Sequence, residues 1–393
     1  MIRSTALRTA LQAAAAALLA AIALPAWADG PEKALSRVLE AIEAHRPDLA
    51  LSRVDALIAA HPTFRLAHLI RGDLLLARAK PLQTFGNAGK TVPREKVEDL
   101  RAEALARLQA QRAQPADKRL PGYMLQLHPA QKHALVVDSR RSRLFVFENV
   151  DGRPQRVADF YVTLGKQGTA KTREGDQKTP IGVYHVTGNL PREKLTDFYG
   201  AGAFPINYPN AWDRRLGRNG HGIWLHGTPS DTYSRPPRAS DGCIVLANPD
   251  LLSLSQYLQV GVTPVIISDG IEWVEGDALD AERKALAAAL DAWRGDWESR
   301  DTPRYLSHYA AAFESEDQDL AGWSAHKRKV NAAKAWIKVG ISGVAMFRYP
   351  RENFVVVSFD QDYRSSNLSN SMRKRQFWVR DGARWKILYE GGA

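Results

Sequence analysis

A chain of 393 residues with one cysteine, Cys243, cannot staple itself with an internal disulfide. That excludes the small bridge-stapled class of secreted domains and leaves hydrophobic cores to carry the fold. Zinc-type Cys/His spacing is also missing, and no cofactor is expected. No compact Lys/Arg run flanked by stacking aromatics occurs either, which argues against a nucleic-acid partner despite a formal charge of +11. Beyond the first 28 residues no apolar run is long enough to cross a bilayer.

What is present is an ordinary globular balance, 45% hydrophobic and 25% charged, too long for one core. Two or three domains are expected. Arg3 and Arg8, an alanine-rich run from Leu11 to Leu24 and Ala26-Trp27-Ala28 read as a secretory signal peptide over residues 1–28. The mature chain is therefore expected to be soluble and periplasmic. There, anionic envelope polymers are the natural counterpart of its positive charge, through salt-sensitive attraction. A lone thiol in that oxidising compartment is a liability unless it is shielded or reacts usefully.

The hydrophobic period changes twice along the chain, which predicts a multidomain α+β protein. Residues 29–120 read as a helical N-terminal region and linker. Leu35, Val38, Leu39 and Ile42, then Leu51, Val54, Leu57 and Ile58, fall at helical spacings. The stretch from Ala59 to Leu75 resembles part of a tetratricopeptide-type hairpin array. A charged helix from Pro93 to Arg112, ended by Gln114-Pro115-Ala116-Asp117, reads as a linker or lid. Residues 121–270 are strand-like, with Leu135–Asp138 and Arg143–Phe147 flanking a polar turn. Within them Asn189–Gly220 carries Tyr199, Phe204, Tyr208 and Trp212 and reads as a long loop capping the substrate. Residues 277–393 open with a helix over Leu279–Glu298, continue with a helix over Tyr305–Phe313, and end in strands. The last two strands are joined by the turn signal Asp381-Gly382.

The chemistry is concentrated in the middle. Gly242 can take φ > 0 and present the Cys243 thiol from a tight turn. The N–H groups of Gly242 and Cys243 are candidate oxyanion donors there. His226 ends an apolar strand and is placed to project its ring as a base. His226-Gly227, followed by Ser240-x-Gly242-Cys243, resembles the catalytic signature of L,D-transpeptidases of the YkuD type. Thr179-Pro180-x-Gly182-x-Tyr184 matches a second motif of that family upstream.

The resemblance implies a β-sandwich-like domain and a metal-independent cysteine mechanism. It also implies a substrate, the peptidoglycan tetrapeptide stem, cut between its third residue and terminal D-alanine. On these positions Cys243 is the nucleophile and His226 the base. The Gly227 carbonyl orients the ring, and Ser240 shapes the loop. Asp241 and Val245 depart from the family pattern, which has His or Arg and Arg or Asn at those places. Arg235 and Arg238 are candidates to pair with Asp241 or to take a substrate carboxylate. Tyr233 and His221 complete the candidate substrate-binding set. The C-terminal part resembles the cone-shaped nuclear-transport-factor-like fold, and the three-part order resembles cell-shape L,D-carboxypeptidases. No acid/base pair stands out in the cone, for which substrate docking or homodimer formation is expected. The acyl acceptor implied is an amine of a neighbouring stem or of an envelope protein; the alternatives are water, giving an L,D-carboxypeptidase or amidase, and a non-catalytic scaffold that binds the cell wall.

Overall fold

The computed structural model describes residues 30–89, 91–112 and 119–393. The signal-peptide segment and the helix stop at 114–117 lie outside them. Among the described residues, 30–87 apart from Thr63–Leu66 form one compact unit, and Thr63–Leu66 with those from Ala88 to Ala393 form a second. In the first, helices Pro31–Glu43 and Pro47–Ala60 each begin on proline, where the missing N–H is harmless. They bury Leu35, Val38 and Ala41 on one side and Ala50, Val54 and Leu57 on the other. The glycine-rich break after them is ordered by Asp73, which accepts the backbone N–H groups of Gly86 (2.6 Å) and Asn87 (2.9 Å).

The second unit is built on three sheets of more than two strands. A five-stranded sheet runs Arg153–Tyr161, Arg143–Val150, His133–Asp138, Pro264–Ser268 and Gly182–His185 in spatial order. A four-stranded sheet runs Ile244–Val245, Trp224–His226, Gly202–Pro205 and Leu190–Pro191. Leu135, Val137, Leu144 and Val146 from the first meet Phe204, Leu225 and Ile244 from the second in one core. The five-stranded sheet is covered on its other face too, where Val136, Phe145 and Ile266 pack with Met124 and Phe347. Burial on both faces explains why Leu135-Val136-Val137 is continuously apolar rather than alternating.

The third sheet has six strands, in the order Tyr309–Ser315, Arg384–Gly392, Leu368–Asp381, Phe354–Ser365, Ile337–Arg348 and Met124–Gln126. Its last strand comes from far upstream, with Met346 facing Gln126 and Phe347 facing Met124. The long helix Gly276–Glu298 lays Leu286, Leu290, Trp293 and Trp297 into the concave face of this sheet. The opposite face presents Phe354, Val356 and Phe377 to Trp212.

Two expectations are corrected here. Tyr305–Phe313 is not one helix. A short helix, Thr302–Leu306, gives way to the strand Tyr309–Ser315, whose Tyr309 is in register with Ile387. Aromatics four residues apart fit both a helix turn and two strand periods, so the pattern alone could not separate them. Pairing with the C-terminal strand decides it. The stretch 189–220 is not structureless either, since it holds two strands, two 3₁₀ turns and the helix Ala211–Arg215. Phe204 and Tyr208 enter the central core. Trp212 packs 4.7 Å from Phe354 and donates to Glu352 (3.0 Å). Of the four aromatics expected to form a cap, only Tyr199 reaches the site described next.

Candidate active site

Two short parallel strands hold the chemistry. Leu225 is in register with Ile244 and His226 with Val245. Leu225 and Ile244 point into the central core. Alternation then turns His226 to the opposite face, together with Cys243, which precedes Ile244 by one residue. Imidazole and thiol thus share one face of adjoining strands.

The imidazole is buried, 1% exposed, and its Nδ1 lies 2.7 Å from the Gly227 carbonyl oxygen. A carbonyl only accepts, so Nδ1 carries the proton and Nε2 keeps its lone pair. Burial pushes the His226 pKa down to about 4; Arg235 adds to this, and the Gly227 carbonyl opposes it. Burial pushes the Cys243 thiol up to about 11. The Trp224 N–H, Arg235 and Lys171 favour the thiolate, and Asp241 disfavours it. The thiol donates to the Gly222 carbonyl (3.3 Å) rather than to the imidazole. The resting pair is therefore neutral on both sides, which suits general-base assistance during attack rather than a preformed ion pair.

The loop carrying the thiol is fastened from several sides. Ser240 Oγ donates to the Cys243 carbonyl (2.7 Å) and accepts the Gly242 N–H (3.2 Å). That engages one of the two expected oxyanion donors and leaves the Cys243 N–H for the role. Gly242 has φ +128°, and a Cβ there would come 2.7 Å from the Lys178 carbonyl oxygen. Only glycine fits. Thr179 Oγ1 accepts the Gly165 N–H (2.9 Å) and donates to the Gly242 carbonyl (3.0 Å). Asn248 does similar work beside the base, accepting the Ala201 N–H and donating to the Thr228 carbonyl, both at 2.8 Å.

Residues 132–267 match the L,D-transpeptidase catalytic domain family, YkuD, and residues 285–391 match the Cds6 C-terminal NTF2-like domain. The middle of this chain is an L,D-transpeptidase catalytic domain. Members of this domain family are cysteine enzymes that modify peptidoglycan. Solved structures with the same architecture include Bd1075 from Bdellovibrio bacteriovorus, at 29% identity over 70% of this chain and 98% of that one, with TM-score 0.61. Another is the helical cell shape determining protein Pgp2 from Campylobacter jejuni, at 26% identity over 69% of this chain and 95% of that one, with TM-score 0.59. No curated protein matches the chain.

Around this transpeptidase-type centre the expected substrate residues separate. Arg235 comes to the site: its guanidinium lies 4.9 Å over the Phe198 ring, and Phe198 and Tyr199 stand 5.8 Å and 5.2 Å from the His226 ring. Tyr161 and Thr163 donate to its carbonyl (2.9 and 3.0 Å), so its backbone is fixed. Arg238 is exposed on its strand. Asp241 pairs with neither arginine; Lys166 (3.1 Å) and Gln177 (3.0 Å) donate to it instead. Val245 is buried and exchanges two backbone bonds with Thr163, both 2.9 Å. Tyr233 and His221 have other neighbours. Tyr233 is buried against Phe64, ring centres 4.2 Å apart, and His221 is exposed 3.8 Å from Glu174.

Sequence reasoning passed over Asn248, Tyr161 and Thr163, because nothing in their spacing ties them to the histidine or to Arg235. The cone mouth, where no acid/base pair stood out in the sequence, holds a cavity of about 670 Å³ in which Lys327 faces Trp323 (4.3 Å) and Lys374 pairs with the buried Glu390 (2.5 Å). That ion pair joins two neighbouring strands, which no local spacing reveals.

Among the described residues no helix is long and apolar enough to cross a membrane.

Proposed function

We propose that this protein is a periplasmic cysteine acyltransferase that cuts the peptidoglycan tetrapeptide stem before its terminal D-alanine. Cys243 is the nucleophile, His226 the general base, the Gly227 carbonyl its orienting partner, and Arg235 a clamp for the substrate carboxylate. The observation that carries the reading is the shared face of His226 and Cys243, with Nδ1 tied to Gly227.

In the first step His226 Nε2 takes the thiol proton as sulfur attacks the carbonyl carbon of the third stem residue. The oxyanion forms beside the Cys243 N–H. Collapse breaks the peptide bond, the imidazolium returns the proton to the departing D-alanine amine, and a thioester remains. An amine of a neighbouring stem or an envelope protein then attacks the thioester and frees the thiol. Water in the amine's place gives an L,D-carboxypeptidase, a second reading supported by a three-part order that resembles cell-shape L,D-carboxypeptidases. In both, the C-terminal cone serves as a docking module for wall material.

Incubation of the purified protein with disaccharide tetrapeptide, followed by mass analysis, tests both. A crosslinked dimer supports transfer, a tripeptide product supports hydrolysis, and unchanged substrate refutes catalysis. Cys243→Ala abolishes either product; activity surviving that substitution removes Cys243 from the mechanism.

A further inference from the structure

Between the transpeptidase-type domain and the C-terminal sheet lies a cavity of about 160 Å³. One wall is the strand Gly182–His185, whose Tyr184 enters the central core and whose His185 therefore faces the other way. The opposite wall is the strand Leu368–Asp381. Its Lys374, Gln376 and Trp378 turn inward, joined through Glu390 and one another, so Arg373, Arg375 and Phe377 turn toward the cavity. Phe377 seals one end against Trp212, ring centres 5.7 Å apart. The two arginines share the rest of the lining with Asn207, Asn210, Ser358 and the C-terminal Ala393.

Neither Arg373 nor Arg375 makes an ion pair among the described residues. Arg375 is half-buried, with Arg373 and Arg214 pressing on it as like charges. The carboxylate in register with Arg373, Asp360, lies 3.4 Å from His128 instead. His185 feels the same excess: burial, then Arg375 and Arg373, push it down to about 4. Holding the half-buried, unpaired Arg375 guanidinium beside a histidine, with Arg373 on the exposed rim, is costly unless something negative occupies the crevice. The space is enough for one small oxyanion with its hydration.

We propose that this cavity is a binding site for a small oxyanion, of phosphate or carboxylate size, clamped by Arg375 and Arg373 opposite His185. Planar guanidinium forks match either geometry. Because the walls belong to two domains, an occupant ties the catalytic domain to the C-terminal sheet.

Thermal unfolding of the full chain in inorganic phosphate, and separately in acetate, against chloride of matched ionic strength is the test. A saturable rise in Tm of a few degrees is expected with at least one of the two, confirmed by calorimetric titration. The responding anion tells a tetrahedral occupant from a planar one. Arg375→Met and, on the exposed rim, Arg373→Met each remove the response. No shift beyond that of chloride, or a shift that survives both substitutions, overturns the proposal.

Discussion

Thr179 Oγ1 donates to the Gly242 carbonyl at 3.0 Å, so the threonine of one motif is bonded to the glycine of the other. Thr179 is fully buried, and the same oxygen accepts from Gly165. Thr179→Val keeps the shape and removes both bonds, leaving a buried carbonyl and an N–H without partners. We predict a loss of about 1–3 kcal/mol in urea unfolding and a fall in kcat, with Thr179→Ser restoring both. Equal stability and turnover in the valine variant would show the bond to be incidental.

The raised thiol and lowered imidazole make a prediction about reactivity. With Cys243 near 11 and His226 near 4, the thiolate is scarce at neutral pH. Alkylation by iodoacetamide should climb about tenfold per pH unit from neutrality toward the thiol pKa. A plateau already reached in mild acid would mean an ion pair exists at rest.

His226 also links folding to acidity. Its folded pKa of about 4 lies below the ordinary 6.5 of the unfolded chain. Between those values the unfolded chain holds a proton that the folded one refuses, so stability rises with pH across this window and is flat above it. The size is about 3 kcal/mol for a shift of this order. His226→Gln should flatten that part of the urea-unfolding profile; an unaltered slope assigns it to other groups, His185 included.

Arg235 stands over Phe198 beside the base, its carbonyl held by Tyr161 and Thr163. If it grips the stem carboxylate, Arg235→Met lowers kcat/KM on the order of ten- to a hundred-fold, chiefly through KM. A substrate blocked as its terminal amide should lose the same factor with the native protein and none with the variant. Equal kinetics on both substrates in both proteins would place the recognition elsewhere.

Trp212 carries the contact between the central domain and the outer face of the C-terminal sheet, with Tyr349, Phe354 and Phe377 around it. Trp212→Ala should cost about 3–5 kcal/mol and speed hydrogen exchange in the strand Phe354–Ser365. Exchange confined to residues near 212 alone would deny it that bridging part.

Much of this was open to reading along the chain because it is local. The apolar runs Leu135–Asp138 and Arg143–Phe147 around a polar turn, the Asp381-Gly382 turn and the helical period of Leu279–Glu298 each depend on neighbours a few residues apart, and each appears in the structure, slightly longer than read. The glycine before Cys243 and the histidine before Gly227 are legible for the same reason, since turn and strand end are short-range demands. What lay beyond reach were relations with no period. The donors to Asp241 come from Lys166 and Gln177, and the sixth strand of the last sheet from residues 124–126. Tyr305–Phe313 shows the boundary most plainly, for a spacing of four satisfied two backbones and only a partner strand chose between them. Sequence determined which residue types stand at the turns and strand ends, through backbone sterics and hydrophobic period. Tertiary structure alone decided which of them meet, because burial and pairing join segments that no local rule connects.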